Sequence, residues 1–361
     1  LEDIAAAEIH ELLGRRPKII GKGRIEWHGH EKDLFIVNYL ARSIHRVILL
    51  LIDQNFHDLR NIYSIFCSIN YSSYISANQT FAVRTKRIGD HSFTSIDVSR
   101  EVGQAIIDSF MKEKKRRLKV DLENPDVIFR VYVVEDRVMG GIDTTGDESL
   151  HRRNYRVYQH PAALKPTIAY CVIRLSGWRP DESLMDPMCG GGTIPIEAAL
   201  YGRNIPPGRF RKHGYSFKKL KFLDLRTFEE VVKERYERES VLKIFGCDIS
   251  EKHVSGAIKN AKSAGVTKYL RLFVGDACRI PLNYDRIVVN IPYGIRMGSI
   301  RGTRRLYRKF IDNLLRYEWK KLVVLDGTGN FLLEAKERLK LEDSREIMYG
   351  SLRTYVLGFK Q

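Results

Sequence analysis

Apolar positions recur at helical or strand spacing along the chain, and the way the two alternate changes partway through. Glu2–Leu13 predicts an amphipathic helix. Asp33–Ile52 predicts a second helix, with Leu34, Val37, Leu40, Ala41, Ile44, Val47 and Ile48 at helical spacing. At Thr80–Arg87, Phe81, Val83 and Thr85 alternate with Ala82, Arg84 and Lys86, which is the period of a strand. Val98, Val102, Ile106 and Phe110 make Asp97–Phe110 helical, Asp126–Val134 returns to strand spacing, and Gly140-Gly141 predicts a turn. These short mixed units read as an α+β region over residues 1–149. The polar, basic stretch 150–160, with Arg152, Arg153 and Arg156, reads as a linker.

Beyond it the rhythm becomes regular. Strands Ser183–Met185, Leu242–Cys247, Leu270–Val274, Arg286–Val289 and Lys321–Leu325 alternate with helices Ile194–Leu200, Val254–Ser263 and Leu306–Tyr317. Such alternation predicts an α/β domain over 161–361, a mostly parallel sheet covered on both faces. Tyr201–Ser240, rich in Lys, Arg and aromatics, reads as a long insertion between the first of these helices and the second strand. There is no internal repeat and no low-complexity segment.

The length of 361 residues favours two or three domains over one core. The formal net charge of +17 points to a polyanionic partner, nucleic acid foremost, with a solvated basic surface or an anionic membrane as the other readings. Five cysteines without a C-x-x-C pair suggest neither a disulfide framework nor a zinc site, so no metal is expected and a reducing cytoplasm fits. No apolar run is long enough to span a bilayer. No signal-peptide pattern is visible, and because the chain opens at Leu1 rather than Met, a few preceding residues are expected.

Three acidic positions fall at the ends of successive strands. Asp186-Pro-Met-Cys-Gly190-Gly191-Gly192-Thr193 lies between a strand and a helix, where glycines let a ligand approach the backbone. It is neither G-x-G-x-x-G nor a P-loop. Asp248, at the next strand end, could accept from both ribose hydroxyls, and Asp276 at the third could take the exocyclic amine of adenine. Each alone could equally cap the following helix. Together, with no basic residue in the loop, they point to an adenosine-bearing cofactor without phosphates. The fourth strand ends in Asn290-Ile-Pro292-Tyr293-Gly294. The Asn290 side-chain oxygen and the Ile291 carbonyl could align an exocyclic amine, whose lone pair is delocalised into its ring. Pro292 would fix that backbone, and Tyr293 offers a stacking face.

These motifs resemble those of Rossmann-like methyltransferases that act on exocyclic amines. Phe81–Phe93 and Asn124-Pro-Asp126 resemble a THUMP domain, an RNA-binding module; Leu150–Arg156 with Pro161–Thr167 is similar to the segment joining the two in THUMP-containing RNA methyltransferases. Asn-Ile-Pro-Tyr-Gly resembles the tRNA guanine-N2-methyltransferases of the acceptor stem, with Ile291 where the usual motif has Pro. The resemblance implies a ferredoxin-like region plus THUMP domain over 1–149 and a Rossmann-like domain over 161–361. It implies S-adenosylmethionine as cofactor, held by Thr167, Asp186, Cys189, Gly190, Gly191, Gly192, Thr193, Asp248, Ile249, Asp276, Ala277 and Asn290. Asn290, Pro292 and Tyr293 would be catalytic, and the product N2-methylguanosine in tRNA, with position 6 as the expected target. Another tRNA position, ribosomal RNA, or an RNA-binding protein without catalysis are the alternatives. A monomer is expected.

RNA contacts are expected from Arg84, Lys86 and Arg87, from Arg152 and Arg153, and from Arg301, Arg304 and Arg305 beside the catalytic loop. Lys112–Lys119, and Arg209, Arg211, Lys212 and His213 in the insertion, are further basic clusters. On this division residues 1–149 select the RNA, and the catalytic half is expected to bind cofactor by itself.

Overall fold

The computed structural model describes residues 1–234, 236–293, 300–350 and 352–361, without the side chains of Ile300 and Arg301. The chain opens with α1 (Glu2–Leu13), the hairpin β1 (Lys18–Gly21) and β2 (Arg24–Glu26), and α2 (Glu31–Leu40). Then follow β3 (Ile48–Asn55), α3 (Leu59–Cys67), β4 (Thr80–Ile88), α4 (Ser95–Lys114), β5 (Lys119–Val120), β6 (Val127–Val134) and β7 (Arg137–Asp143). Among the described residues these form a sheet in the order β3-β7-β6-β4-β5, in which β4 runs parallel to β5 and β6 while β7 is antiparallel to β6 and β3.

Two expectations fail here. The helix drawn through Asp33–Ile52 stops at Leu40, because Ala41 turns extended (φ −67°, ψ 135°). The apolar run from Ile48 becomes β3, paired with β7. A short apolar run fits either period, and its strand partner lies far along the chain. Gly140 and Gly141 are not a turn but the middle of β7. A Cβ at Gly140 would lie 2.4 Å from the Phe66 ring, and one at Gly141 would lie 2.2 Å from the Leu49 carbonyl oxygen. The strand carries glycine because neighbours press against its backbone.

The second half contains α5 (Pro166–Leu175), β8 (Ser183–Asp186), α6 (Thr193–Gly202), α7 (Leu225–Lys233), β9 (Lys243–Asp248) and α8 (Glu251–Ser263). After these come β10 (Leu270–Val274), β11 (Arg286–Asn290), α9 (Ile300–Leu314), β12 (Lys321–Asp326), α10 (Asn330–Ala335), β13 (Lys340–Tyr349) and β14 (Leu352–Lys360). The sheet order is β10-β9-β8-β11-β12-β14-β13, parallel from β10 to β12, with β14 antiparallel to both its neighbours. The order reverses between β8 and β11, which opens a crevice outside their carboxyl ends.

The insertion 201–240, between α6 and β9, packs into the other half of the chain. Tyr215, Phe217, Leu220, Phe228 and Val231 are buried in the core of the N-terminal region. Phe217 packs edge-on to Phe35 at 5.0 Å between ring centroids, and Tyr39 meets Phe228 at 6.1 Å. The Phe217 backbone N–H donates to Thr144 at 3.0 Å. The insertion is therefore a strap by which the catalytic half completes the other half's core. Among the described residues no helix is long and apolar enough to cross a membrane.

Candidate active site

The crevice is built at strand ends. β8 delivers Asp186, whose side chain is almost wholly buried and accepts from the Met188 N–H at 3.1 Å. Burial pushes its carboxyl well up from the ordinary range; the Asp248 charge adds to this and the Met188 N–H opposes it. The glycine loop then leads into α6. Gly190 (φ 51°) and Gly192 (φ 78°) are left-handed, and a Cβ on Gly192 would lie 2.9 Å from the Ala257 Cβ. Only glycine meets both conditions without strain.

β9 brings Asp248 to the same place. Its carboxylate accepts from the Gly190 N–H at 3.0 Å and the Ser250 N–H at 2.9 Å. The Cys189 N–H donates to the Cys247 carbonyl at 2.7 Å, which fastens the loop to β9. Cys189 and Thr193 are buried, whereas Ile249 stands 74% exposed, an apolar side chain at the crevice rim. After β10, Asp276 accepts from the Cys278 N–H at 2.9 Å and faces Arg279 at 3.4 Å. Buried Ala277 is held through its carbonyl by Asn313 at 3.0 Å.

β11 ends in Asn290, whose Oδ1 is buried with no hydrogen-bond partner among the described residues. A buried amide oxygen left unpaired costs about 1–3 kcal/mol, so an absent donor is the natural explanation. Ile291 is fully buried, and the Tyr307 hydroxyl, from α9, donates to the Pro292 carbonyl at 2.9 Å. The Tyr293 ring lies against Gly327, where a Cβ would approach within 2.7 Å of it. Gly294 lies outside the described residues. Glycine cradle, three carboxylates at adjoining strand ends and an orphaned acceptor together suit an adenosine ligand that is itself cationic, as S-adenosylmethionine is. Asp186 and Asp248 would offset its positive charges, which relieves the burial of Asp186.

Several contributors carry no motif. Asn260, 1% exposed on α8, accepts from the Tyr158 N–H at 2.7 Å and donates to the carbonyls of Tyr158 and Gly191 at 3.1 and 2.9 Å. It thereby pins the linker to the glycine loop. The His160 imidazole lies over Gly190, 3.3 Å from where a Cβ would stand. Thr167, buried at the start of α5, is bonded to His45 Nε2 at 2.8 Å. The N-terminal region thus reaches a residue expected at the cofactor. A single Asn or His on a helix or linker carries no spacing signal, so sequence reasoning had no purchase on these.

The expected RNA-facing residues divide. Arg153 is buried, 3.6 Å from the carboxylate of buried Glu197, and donates to the Leu150 and Arg42 carbonyls. It is a structural residue of the junction, not an RNA contact, because a buried guanidinium is held by its own partners. Arg84 donates to the Leu122 carbonyl at 2.6 Å and faces Asp147 at 3.4 Å. Arg87 reaches Gly89 and His91, and Lys86 is exposed. Arg304 is ion-paired with Glu334 at 2.5 Å, Arg305 and Arg152 are exposed, and the Arg301 side chain lies outside the described residues.

Asp248→Ala removes the charged acceptor that also positions the Gly190 N–H. Cofactor affinity is expected to fall by about 1.5–3 kcal/mol, roughly 10–100-fold. Calorimetric titration with S-adenosylmethionine reads this directly, and unchanged affinity would remove Asp248 from the site.

Comparison with known proteins agrees with this geometry. Residues 153–348 match the RMKL-like methyltransferase domain, and residues 56–143 match the THUMP domain. The chain is 40% identical over 366 residues to a tRNA (guanine(6)-N2)-methyltransferase of Methanocaldococcus jannaschii, covering 99% of this chain and 96% of that protein. It is 39% identical to an Archaeoglobus fulgidus protein of the same description, over 99% of this chain and 89% of the relative. A solved structure described as a possible methylase from Clostridium difficile superposes with a TM-score of 0.88 at 29% identity, covering 99% of this chain and 94% of that one. The chain belongs to the RMKL-like methyltransferase family: it is a THUMP-bearing methyltransferase that uses S-adenosylmethionine.

Proposed function

We propose that this enzyme methylates the exocyclic N2 amine of a guanosine in tRNA, at position 6 of the acceptor stem. The observation that carries the reading is the buried Asn290 Oδ1, without a partner among the described residues, at the reversal point of the sheet and three residues before Tyr293. The two near-full-length relatives described as tRNA (guanine(6)-N2)-methyltransferases support the choice of base, RNA and position.

The cofactor supplies an electrophilic methyl group on a sulfonium. The rest falls to the chain's own residues. Asn290 Oδ1 and the Ile291 carbonyl accept the two N–H bonds of the amine, which turns its lone pair towards the methyl group. Tyr307 holds the Pro292 carbonyl, which steadies the peptide next to the one that carries the Ile291 carbonyl. Asn290 has no basicity at neutral pH; its contribution is orientation and electrostatic stabilisation. The nitrogen becomes cationic on methylation and gives up its proton afterwards. A paired base must leave its stack, at a cost of a few kcal/mol. Stacking on Tyr293 returns about 1–3 kcal/mol of that.

Nucleoside mass spectrometry after incubation with tRNA and labelled cofactor tests this. N2-methylguanosine at position 6 is the expected product. Methylation confined to adenosine, or to ribosomal RNA, would overturn the reading. The THUMP domain is read as the grip on the unpaired 3′ end, which makes site choice a matter of distance along the stem. Removing the 3′-terminal nucleotides should then cut methylation sharply while cofactor affinity stays unchanged.

A further inference from the structure

Several of the chain's basic residues already have partners: Arg84 faces Asp147, Arg153 faces Glu197, and Arg304 and Arg308 share Glu334. The turn into α5 is different. Arg152, Arg156 and Lys165 gather there, and among the described residues none of the three is in salt-bridge distance of a carboxylate. Arg156 donates through Nη1 to the Leu164 carbonyl at 2.9 Å, which brings its guanidinium next to Lys165. Lys165 Nζ lies 5.3 Å from the centre of the Tyr349 ring. The Lys165 backbone N–H donates to the Tyr349 hydroxyl at 3.0 Å, and that hydroxyl donates to Ala163 at 3.1 Å. Arg152 is exposed; Lys165, Arg156 and His151 are partly exposed.

Two histidines stand beside these cations. His45 and His151 have ring centroids 5.1 Å apart. Loss of water, then Lys165, Arg153 and Arg46, bring the His45 imidazole down to about 4. Loss of water, then His45, Lys165, Arg152 and Arg156, do the same to His151. Lys165, Arg152 and Arg156, the cations at these rings that have no carboxylate within salt-bridge distance among the described residues, make a concentration of positive charge that an anion would relieve. The hairpin that carries Tyr349 runs beside the catalytic loop: the Tyr293 ring lies against Gly327, and the preceding residue, Asp326, pairs with Tyr355 of that hairpin.

We propose that Lys165, Arg156 and Arg152 form a binding site for a backbone phosphate of the RNA, beside the nucleotide held at Tyr293. This rests on the reading that the substrate base stacks on Tyr293. A base turned out of its helix carries its flanking phosphates to the rim of the pocket, where cations without a carboxylate partner among the described residues would meet them. Tyr349 holds the start of α5 in place, so the site is positioned by the same β-hairpin that borders the catalytic loop.

The test uses the full chain with K165Q and R156Q made singly. Each should raise the tRNA dissociation constant about tenfold, lower the salt slope of binding by roughly 1, and leave cofactor affinity within about twofold. Phosphate-ethylation interference with the unaltered protein should mark the phosphates next to the methylated nucleotide, and K165Q should erase that mark. Unchanged tRNA affinity and salt slope, with methylation intact, would overturn the phosphate site and leave the function standing. Loss of cofactor affinity alone would assign the cations to the cofactor's carboxylate and overturn it equally. Failure of the unaltered protein to methylate any guanosine in tRNA would instead sink the functional reading, a result that the binding measurements do not depend on.

Discussion

Asn290→Ala is expected to lower the rate of methyl transfer by about 10²–10³-fold, the usual cost of removing one preorganised polar group from a reacting centre. The side chain sits at the end of β11 with its Oδ1 buried and unpaired among the described residues, so it is poised for a group the folded chain does not supply. The substitution removes an unsatisfied acceptor, and the fold therefore loses little. The carboxylates proposed for the adenosine, Asp248 at the end of β9 and Asp276 after β10, lie apart from Asn290 on β11, so cofactor affinity should change by less than about threefold. Single-turnover methylation at saturating tRNA, beside calorimetric titration of the cofactor, separates the two effects. Wild-type transfer by the variant would discard the amine-alignment mechanism; a parallel loss of cofactor affinity would show that Asn290 also holds the cofactor, as the family resemblance implies.

A fragment beginning at residue 161 is expected not to fold cooperatively. Without the N-terminal region, Tyr215, Phe217, Leu220, Phe228 and Val231 lose the core they complete. Exposing five such side chains forfeits about 10 kcal/mol at roughly 2 kcal/mol each, comparable to the whole stability of a typical domain, about 5–15 kcal/mol. The fragment also lacks Tyr158, and with it the linker partner of Asn260, which keeps only its bond to Gly191 of the glycine loop. It lacks Tyr155 too, whose hydroxyl donates to buried Glu197 at 2.8 Å. This reverses the expectation that the catalytic half binds cofactor alone. Circular dichroism melting and calorimetry on the purified fragment decide it: a single sharp transition together with full-length cofactor affinity would show the strap to be dispensable.

The two halves were legible in the sequence to different depths. In the catalytic half, strand-helix alternation and the acidic residues at strand ends announced the parallel sheet, because helices packed on both faces force apolar strands and because loops at carboxyl ends carry the chemistry. β8 to β12 appear where the pattern put them. The Asn290–Tyr293 motif and the glycine loop could be read because each depends on neighbours a few residues away.

What depends on distant partners could not be read. Val47–Ile52 has the same apolar character in a helix or a strand, and only pairing with β7 makes it β3. β13 and β14, a hairpin whose outer strand β13 forms the sheet edge and alternates only between exposed and half-buried positions, were likewise not foreseen. Arg153 reads as one of several linker cations, and only the fold puts Glu197 beside it and removes it from the RNA. The strap of residues 201–240 reads as an insertion by position, yet its Phe217 and Phe228 pack on Phe35 and Tyr39, far earlier in the chain. Local sequence sets spacing, turn chemistry and the identity of reactive groups, since those act over one turn or one strand. Which charges pair, which apolar faces meet and which carbonyls are held depend on loop closures over long separations, and only the packed tertiary structure decides them.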